Sequence, residues 1–288
     1  MNMDQLTKIL RQSIGNSIQI LSCDLVGGGC INQCYHLVTD DRAYFVKCNE
    51  RSYLDMFEKE HEALVALAAH ANLLIPKPIN SGKVENDSYL VMEFIESSSQ
   101  STYYWERLGE GLAGMHRQTK NLFGWETDNY IGRLPQSNKW HQSWTKYFVQ
   151  ERLRPQIKLA RDSRILPPDV QIDLEKLCGR MDQYIVPGLP AFLHGDLWSG
   201  NLMTGPLGEP CLVDPSVYYG HREIELAFTR LFGGFDERFY QTYNQCYPLE
   251  AGFQQRFDIY NIYPLLVHLN LFGRSYLSDI RQILRKYL

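Results

Sequence analysis

The chain has 288 residues, 29 basic against 33 acidic side chains and 44% hydrophobic content. That length lies near the upper limit of one hydrophobic core and predicts two lobes, while the near balance of charge gives no reason to expect nucleic acid or a membrane surface as partner. No apolar run reaches bilayer length, the opening Met1-Asn2-Met3-Asp4 lacks the flank and core of an export signal, and 7 cysteines without a C-x-x-C pair argue against a disulfide framework or zinc site, so the cytosol is the expected compartment.

Ser17–Leu25, Asn32–Thr39, Ala43–Cys48 and Ser88–Phe94 are short apolar or β-branched runs separated by Gly, Asp and Asn turns, and they predict strands. Between the first two lies Val26-Gly27-Gly28-Gly29-Cys30. Lacking side chains, Gly27, Gly28 and Gly29 let backbone N–H groups approach phosphate oxygens, although the run matches no standard phosphate-loop pattern and a plain hairpin competes. Cys30 is a candidate redox thiol, because a phosphate site's positive field would favour its thiolate. Oxidation linking Cys30 between two chains would block nucleotide entry, so the expected state is a monomer or a redox-linked homodimer. Tyr44-Phe45-Val46-Lys47 ends on a lysine suited to the α and β phosphates of a nucleotide, and Glu60, thirteen residues on, is placed to hold it. Glu60 lies in a helical pattern through Leu54, Phe57, His61, Leu64 and Leu67, and it shares the inward face better than Glu58 or Glu62. Tyr89–Ile95 is an apolar strand running into a polar link. Met92, Glu93 and Ile95 are candidates for meeting an adenine edge, the alternative being a buried strand and nothing more.

Beyond Glu96 the polar Ser97–Thr102 gives way to helical periodicity, predicting one lobe over 1–96 and another over 97–288. Helices are expected over Tyr104–Arg117, Trp140–Leu159, Pro168–Tyr184, Glu223–Phe232, Glu237–Cys246, Leu249–Phe272 and Arg274–Leu288. Asp128 and Asn129 offer polar groups to a polyol, or make a turn. Trp140, Trp144, Tyr147 and Phe148 recur at near-helical spacing and read as core. Then comes Phe192-Leu193-His194-Gly195-Asp196-Leu197-Trp198-Ser199-Gly200-Asn201, followed by Leu212-Val213-Asp214-Pro215. An Asp five residues before an Asn, with a second Asp closing an apolar run, supplies one base and two divalent-metal ligands. A phosphate donor's charge must be neutralised by Mg²⁺ while a separate carboxylate orients the attacking hydroxyl. Asp196 is the expected base, and Asn201 and Asp214 the metal ligands. His194 supports the loop, Arg222 and Glu225 brace it from the next helix, and Trp198 is the candidate aromatic surface for the acceptor. Pro215, in place of Phe-Gly, argues against an activation loop controlled by phosphorylation.

With Phe123-Gly124-Trp125, Glu151-Arg152-Leu153-Arg154-Pro155-Gln156 and Gly220-His221-Arg222-Glu223 added, the chain resembles, over essentially its whole length, the fructosamine-3-kinase (ketosamine-3-kinase) family of the aminoglycoside phosphotransferase branch. The resemblance implies an α+β, two-lobed protein-kinase-like fold, with a small β-rich N-lobe and a larger helical C-lobe. It further implies use of ATP and Mg²⁺ to phosphorylate the third-carbon hydroxyl of a ribulosamine or fructosamine, free or on a protein lysine. The phosphorylated adduct then decomposes, which is a deglycation or repair activity. The alternatives are a kinase of another hydroxylated amine, of aminoglycoside, choline or homoserine type, or a nucleotide-binding pseudokinase.

Overall fold

Strands β1 (Ile20–Val26), β2 (Gln33–Thr39), β3 (Ala43–Glu50), β4 (Pro78–Val84) and β5 (Asp87–Glu93) form one antiparallel sheet in the order β1-β2-β3-β5-β4. The structure, a computed structural model, describes residues 1–15, 17–27 and 31–288. Gly28, Gly29 and Cys30 of the expected phosphate turn and redox site lie outside the described residues. The other six cysteines are free, and burial pushes the thiols of Cys48 and Cys211 up to about 12.

Strand pleating explains how the sheet serves two layers. Tyr44, Val46 and Cys48 of β3 join Tyr89 and Val91 of β5 in a core shared with Leu6, Ile9 and Leu10 of helix α1 (Met3–Ile14). A capping box starts that helix: Asn2 Oδ1 accepts the Gln5 N–H at 2.9 Å, and Gln5 Oε1 accepts the Asn2 N–H at 3.0 Å. Alternation sends Lys47 to the opposite face. There helix α2 (Leu54–His70) buries Phe57, Leu64 and Leu67 and brings Glu60 to the lysine.

The chain divides into two compact units, Met1–Tyr104 with Asn201–Pro215, and Trp105–Gly200 with Ser216–Leu288. The boundary expected after Glu96 therefore moves, and a distant hairpin joins the first unit. Hydrogen bonds give the reason: Ser98 Oγ donates to Gly205 O (2.7 Å), Ser101 N to Gly208 O (2.9 Å), and Leu212 N to Leu74 O (3.0 Å).

The second unit is mostly helical. It contains α3 (Tyr104–His116, all but its first residue), α4 (Trp144–Tyr147), a π-helical stretch (Phe148–Leu153), α5 (Arg154–Asp162), α6 (Pro168–Gly179), α7 (Arg222–Leu231), α8 (Glu237–Cys246), α9 (Phe253–Phe272) and α10 (Leu277–Tyr287). The helix expected from Trp140 starts instead at Trp144, where Ser143 caps it, and Trp140 is 38% exposed. Helix α9 is buried from Ile259 through Val267, as an element apolar on all sides must be, and α5, α7 and α10 pack around it. Short strand pairs, Asn129–Ile131 with Leu134–Gln136 and Ala191–Leu193 with Tyr218–Gly220, shape the loops. Among the described residues no helix is long and apolar enough to cross a membrane.

Candidate active site

In the first unit, one ammonium organises two carboxylates. Lys47 Nζ lies 2.6 Å from Glu60 Oε1 and 2.5 Å from Asp214 Oδ1. Burial opposes the lysine's charge, but Asp214 and Glu60 outweigh it and hold the ammonium well above the usual lysine range. The Glu60 side chain is 13% exposed, whereas that of Asp214 is 49% exposed. Asp214 also has a φ of +55°, a left-handed backbone that a non-glycine residue holds only at a cost. Asn201 is buried, and its carbonyl accepts the Val213 N–H at 3.1 Å, which ties it to the strand end bearing Asp214.

The donor chemistry of this pair suits magnesium. Among the described residues no group of three or more His, Cys, Asp and Glu side chains stands ready for a metal. A carboxylate and an amide oxygen are hard donors, and magnesium takes one or two protein oxygens, drawing the rest from phosphate and water. Of the other residues expected at the nucleotide, Gly27 has open space where a Cβ would sit, Met92 and Ile95 are buried, and the N–H of exposed Glu93 donates to Lys77 O at 2.9 Å.

In the second unit the loop bearing Asp196 is braced from α7. Glu225 Oε1 accepts the Gly195 N–H at 2.7 Å, and its Oε2 accepts the His194 N–H at 3.2 Å and meets His116 Nε2 at 2.9 Å. Burial opposes ionisation of Glu225, but His116, His194 and the Gly195 N–H together hold its carboxyl below the usual glutamate range. The Asp196 N–H donates to His194 Nδ1 at 3.2 Å, so His194 serves the loop through its lone pair. Gly195 has a φ of +86°, and a Cβ there would fall 1.9 Å from Ser216 O. Arg222 does not reach this loop: it donates to Tyr247 O at 2.6 Å and packs its guanidinium on the Tyr247 ring, bracing the end of α8.

A cavity beside Asp196 is walled by Tyr218, Phe228, Tyr263, Pro264 and His268. His268 Nδ1 sits 2.8 Å from Pro264 O, which can only accept, so Nδ1 donates there, and burial pushes the ring's pKa below the usual histidine range. Apart from Tyr218, these wall residues lie outside the motifs that carry the resemblance; a local signal is Pro264 interrupting an apolar helix, a common mark of a distorted turn. Asp128 and Asn129 both bond within the second unit. The Asp128 carboxylate accepts the Asn138 N–H at 2.8 Å, while buried Asn129 donates to Val217 O at 3.0 Å and accepts from Gln136 and Asn138. Asn129 thus braces the segment after Asp214, while Asp128 holds Asn138 with one oxygen of an exposed carboxylate. Trp198 packs edge-on against Phe232, with its ring over Gly200, where a Cβ would come within 2.3 Å.

Comparison with known proteins accounts for this arrangement. A profile of the fructosamine kinase family matches residues 2–288. The probable ketoamine kinase of Synechocystis sp. (strain PCC 6803) is 41% identical over 97% of this chain and 94% of its own length. The chloroplastic protein-ribulosamine 3-kinase of Arabidopsis thaliana is 37% identical over 95% and 85%. The crystal structure of a fructosamine-3-kinase candidate from Haemophilus somnus 129PT superposes with a TM-score of 0.89 at 27% identity, covering 99% of this chain and 97% of that one. Aminoglycoside phosphotransferase APH(4)-Ia, at 13% identity, a TM-score of 0.65 and full coverage of both chains, shares the fold alone. The fold is thus the protein-kinase-like α+β fold of the aminoglycoside phosphotransferases. A sheet that aims Lys47 at Asp214, a braced loop presenting Asp196 and a match from end to end make this chain a phosphotransferase of the fructosamine kinase family.

Proposed function

We propose that the enzyme transfers the γ-phosphoryl group of ATP to the third-carbon hydroxyl of a ketosamine, the rearranged adduct of a sugar with an amine. The observation that carries this reading is the family match over the whole chain, together with the ketoamine and ribulosamine kinases among its relatives. Asp196 accepts the hydroxyl proton as the oxygen bonds to the γ-phosphorus. The bond from that phosphorus to the bridging oxygen breaks, and ADP leaves. Lys47, held by Glu60, pairs with the donor's phosphates. Asn201 and Asp214 would hold magnesium, which when bound neutralises phosphate charge. Phosphorylation on the third carbon labilises the adduct and frees the amine, so the activity serves deglycation of small amines or protein lysines.

The cavity favours this acceptor over a polycationic aminoglycoside. Its lining carries two carboxylates, Asp196 and Glu225, and Glu225 is already committed to the loop and His116. The test is ATP consumption with Mg²⁺ on ribulose-lysine and fructose-lysine adducts against kanamycin and choline, with phosphorus NMR of the product. The expected result is a phosphate ester on the third carbon of a ketosamine. Asp196→Ala should abolish turnover while ATP still binds, and Asp214→Ala should abolish it and weaken Mg·ATP binding. Turnover of kanamycin or choline alone, or wild-type rates from Asp196→Ala, would reject the proposal.

A further inference from the structure

Arg152 is fully buried, yet among the described residues its guanidinium hydrogen-bonds to no carboxylate. Nη1 donates to Ser137 O at 2.6 Å and Glu151 O at 3.1 Å, and Nη2 donates to Asn138 Oδ1 at 2.7 Å and to the Tyr147 hydroxyl. Its Nε has no acceptor among the described residues. Three tyrosine rings surround the cation, with centroids 4.1 Å (Tyr218), 4.7 Å (Tyr147) and 5.8 Å (Tyr263) from Cζ. A buried cation balanced only by ring faces and neutral oxygens is expensive to fold, so it calls for a compensating use.

The backbone is built to place it. Arg152 lies in the π-helical stretch Phe148–Leu153, where Arg154 N bonds Val149 O five residues back. The wider turn lets Glu151, Arg152 and Leu153 all be buried in succession. Pro155 has no N–H, so the α-helical donor to Glu151 O is missing, and Arg152 Nη1 supplies the bond instead. The rings it holds are not remote, since Tyr218 and Tyr263 both line the cavity beside Asp196. Tyr263 Oη donates to Gln136 Oε1, Gln136 Nε2 donates to Ser216 Oγ at 2.8 Å, and Ser216 N donates to His194 O at 2.8 Å. A chain of bonds thus connects the tyrosine wall with the loop that bears Asp196.

We propose that Arg152 is a positioning residue for phosphoryl transfer, which sets the tyrosine wall against which the acceptor seats next to Asp196. This rests on reading that cavity as the acceptor site. Full-length Arg152→Met, Arg152→Lys and Tyr263→Phe would be compared with wild type, varying ATP and a ribulose-lysine adduct separately. A misplaced wall costs positioning of the acceptor alone, so Arg152→Met should raise the acceptor KM about tenfold and lower kcat, with the ATP KM within about twofold of wild type. Arg152→Lys, which keeps the charge and loses the fork, should recover part of the loss. Unchanged acceptor KM in a folded Arg152→Met protein, or a fall in kcat with both KM values intact, would mean a purely structural arginine and overturn the proposal. If Arg152→Met does not fold, Tyr263→Phe decides: a raised acceptor KM supports the proposal and an unchanged one overturns it. Wild-type enzyme that leaves the adduct untouched overturns the functional reading and this one with it, whereas wild-type turnover with unaltered variants overturns this one alone.

Discussion

His221 is an imidazole that the fold keeps neutral. It stacks on Tyr260 with ring centroids 5.9 Å apart, a Cβ on Gly188 would meet its ring at 2.3 Å, and its Nδ1 accepts the Glu223 N–H at 3.3 Å as the cap of α7. Burial, with Arg222 and Arg256 nearby, pushes its pKa down to about 3. Above the unfolded histidine value of about 6.5 the ring is neutral in both states and titration contributes nothing. Below it the unfolded chain binds a proton that the folded one refuses, so stability falls with pH by up to about 1.4 kcal/mol per unit until the folded value is reached. Urea unfolding at pH 7 and pH 5 should therefore show wild type losing about 2 kcal/mol more than His221→Phe. An equal loss in the two proteins would show that His221 is not the group refusing the proton. Single residues differ in how openly their sequence advertises them. Lys47, Glu60, Asp196 and Asp214 are visible because their chemistry fixes type and spacing together. Arg152 is not, because a charged residue in a helical run looks solvent-facing, and only the neighbouring rings reveal that it is buried.

At the scale of elements, the loop from His194 to Asn201 shows how glycine and a buried acid share one task. The left-handed φ of Gly195 turns the chain so that its N–H points at Glu225 and its Cα lies against Ser216 O, leaving no room for a Cβ. Gly195→Ala should cost at least about 2 kcal/mol, since the unfavourable backbone alone accounts for about half and the contact with a backbone oxygen must also be relieved. Melting curves and turnover measured together would check it, with activity falling further than stability because the displaced loop carries Asp196. Full activity would mean that the loop tolerates the shift. Sequence periodicity foretold β1, β2, β3, β5, α2, α3 and most of the later helices because their apolar positions repeat at two or at three and four. It did not foretell β4, whose Pro78-Ile79-Asn80-Ser81-Gly82-Lys83-Val84 has no alternation, or α1, whose cap is an Asn-Gln box ahead of a mainly polar run. Nor does any local pattern announce a π-helical turn, which depends on where Pro155 removes a donor.

For the molecule as a whole, composition and pattern suggest a cut after Glu96, yet the first unit is discontinuous: Asn201–Pro215 belongs to it although both flanking segments belong to the second. No local signal could show this, because the bonds responsible join residues roughly a hundred or more positions apart: Ser98 to Gly205, Tyr104 Oη to Met203 O at 2.9 Å, and Leu74 to Leu212. Gly208, with a φ of +76°, lies so close to Ser99 and Ser101 that a Cβ would come within 2.7 Å of their backbone, so the hairpin tip is fitted to the link before α3. Each such bond contributes about 0.5–1.5 kcal/mol net, and several together are a large share of the stability of a domain this small. A fragment of residues 1–104 should consequently melt lower and more broadly than the same fragment joined to residues 201–215 through a flexible Gly-Ser linker. The linked form should also regain the Lys47–Asp214 ion pair, and Asp214→Asn in that context should lower its melting temperature. The reason is that Lys47, buried at 5% exposure, would lose one of the two carboxylates that compensate its charge. Equal melting of the fragments with and without the hairpin would show instead that the sheet and its two helices are self-sufficient, and that the hairpin's place in the first unit serves the position of Asp214 and adds nothing to the stability of the sheet.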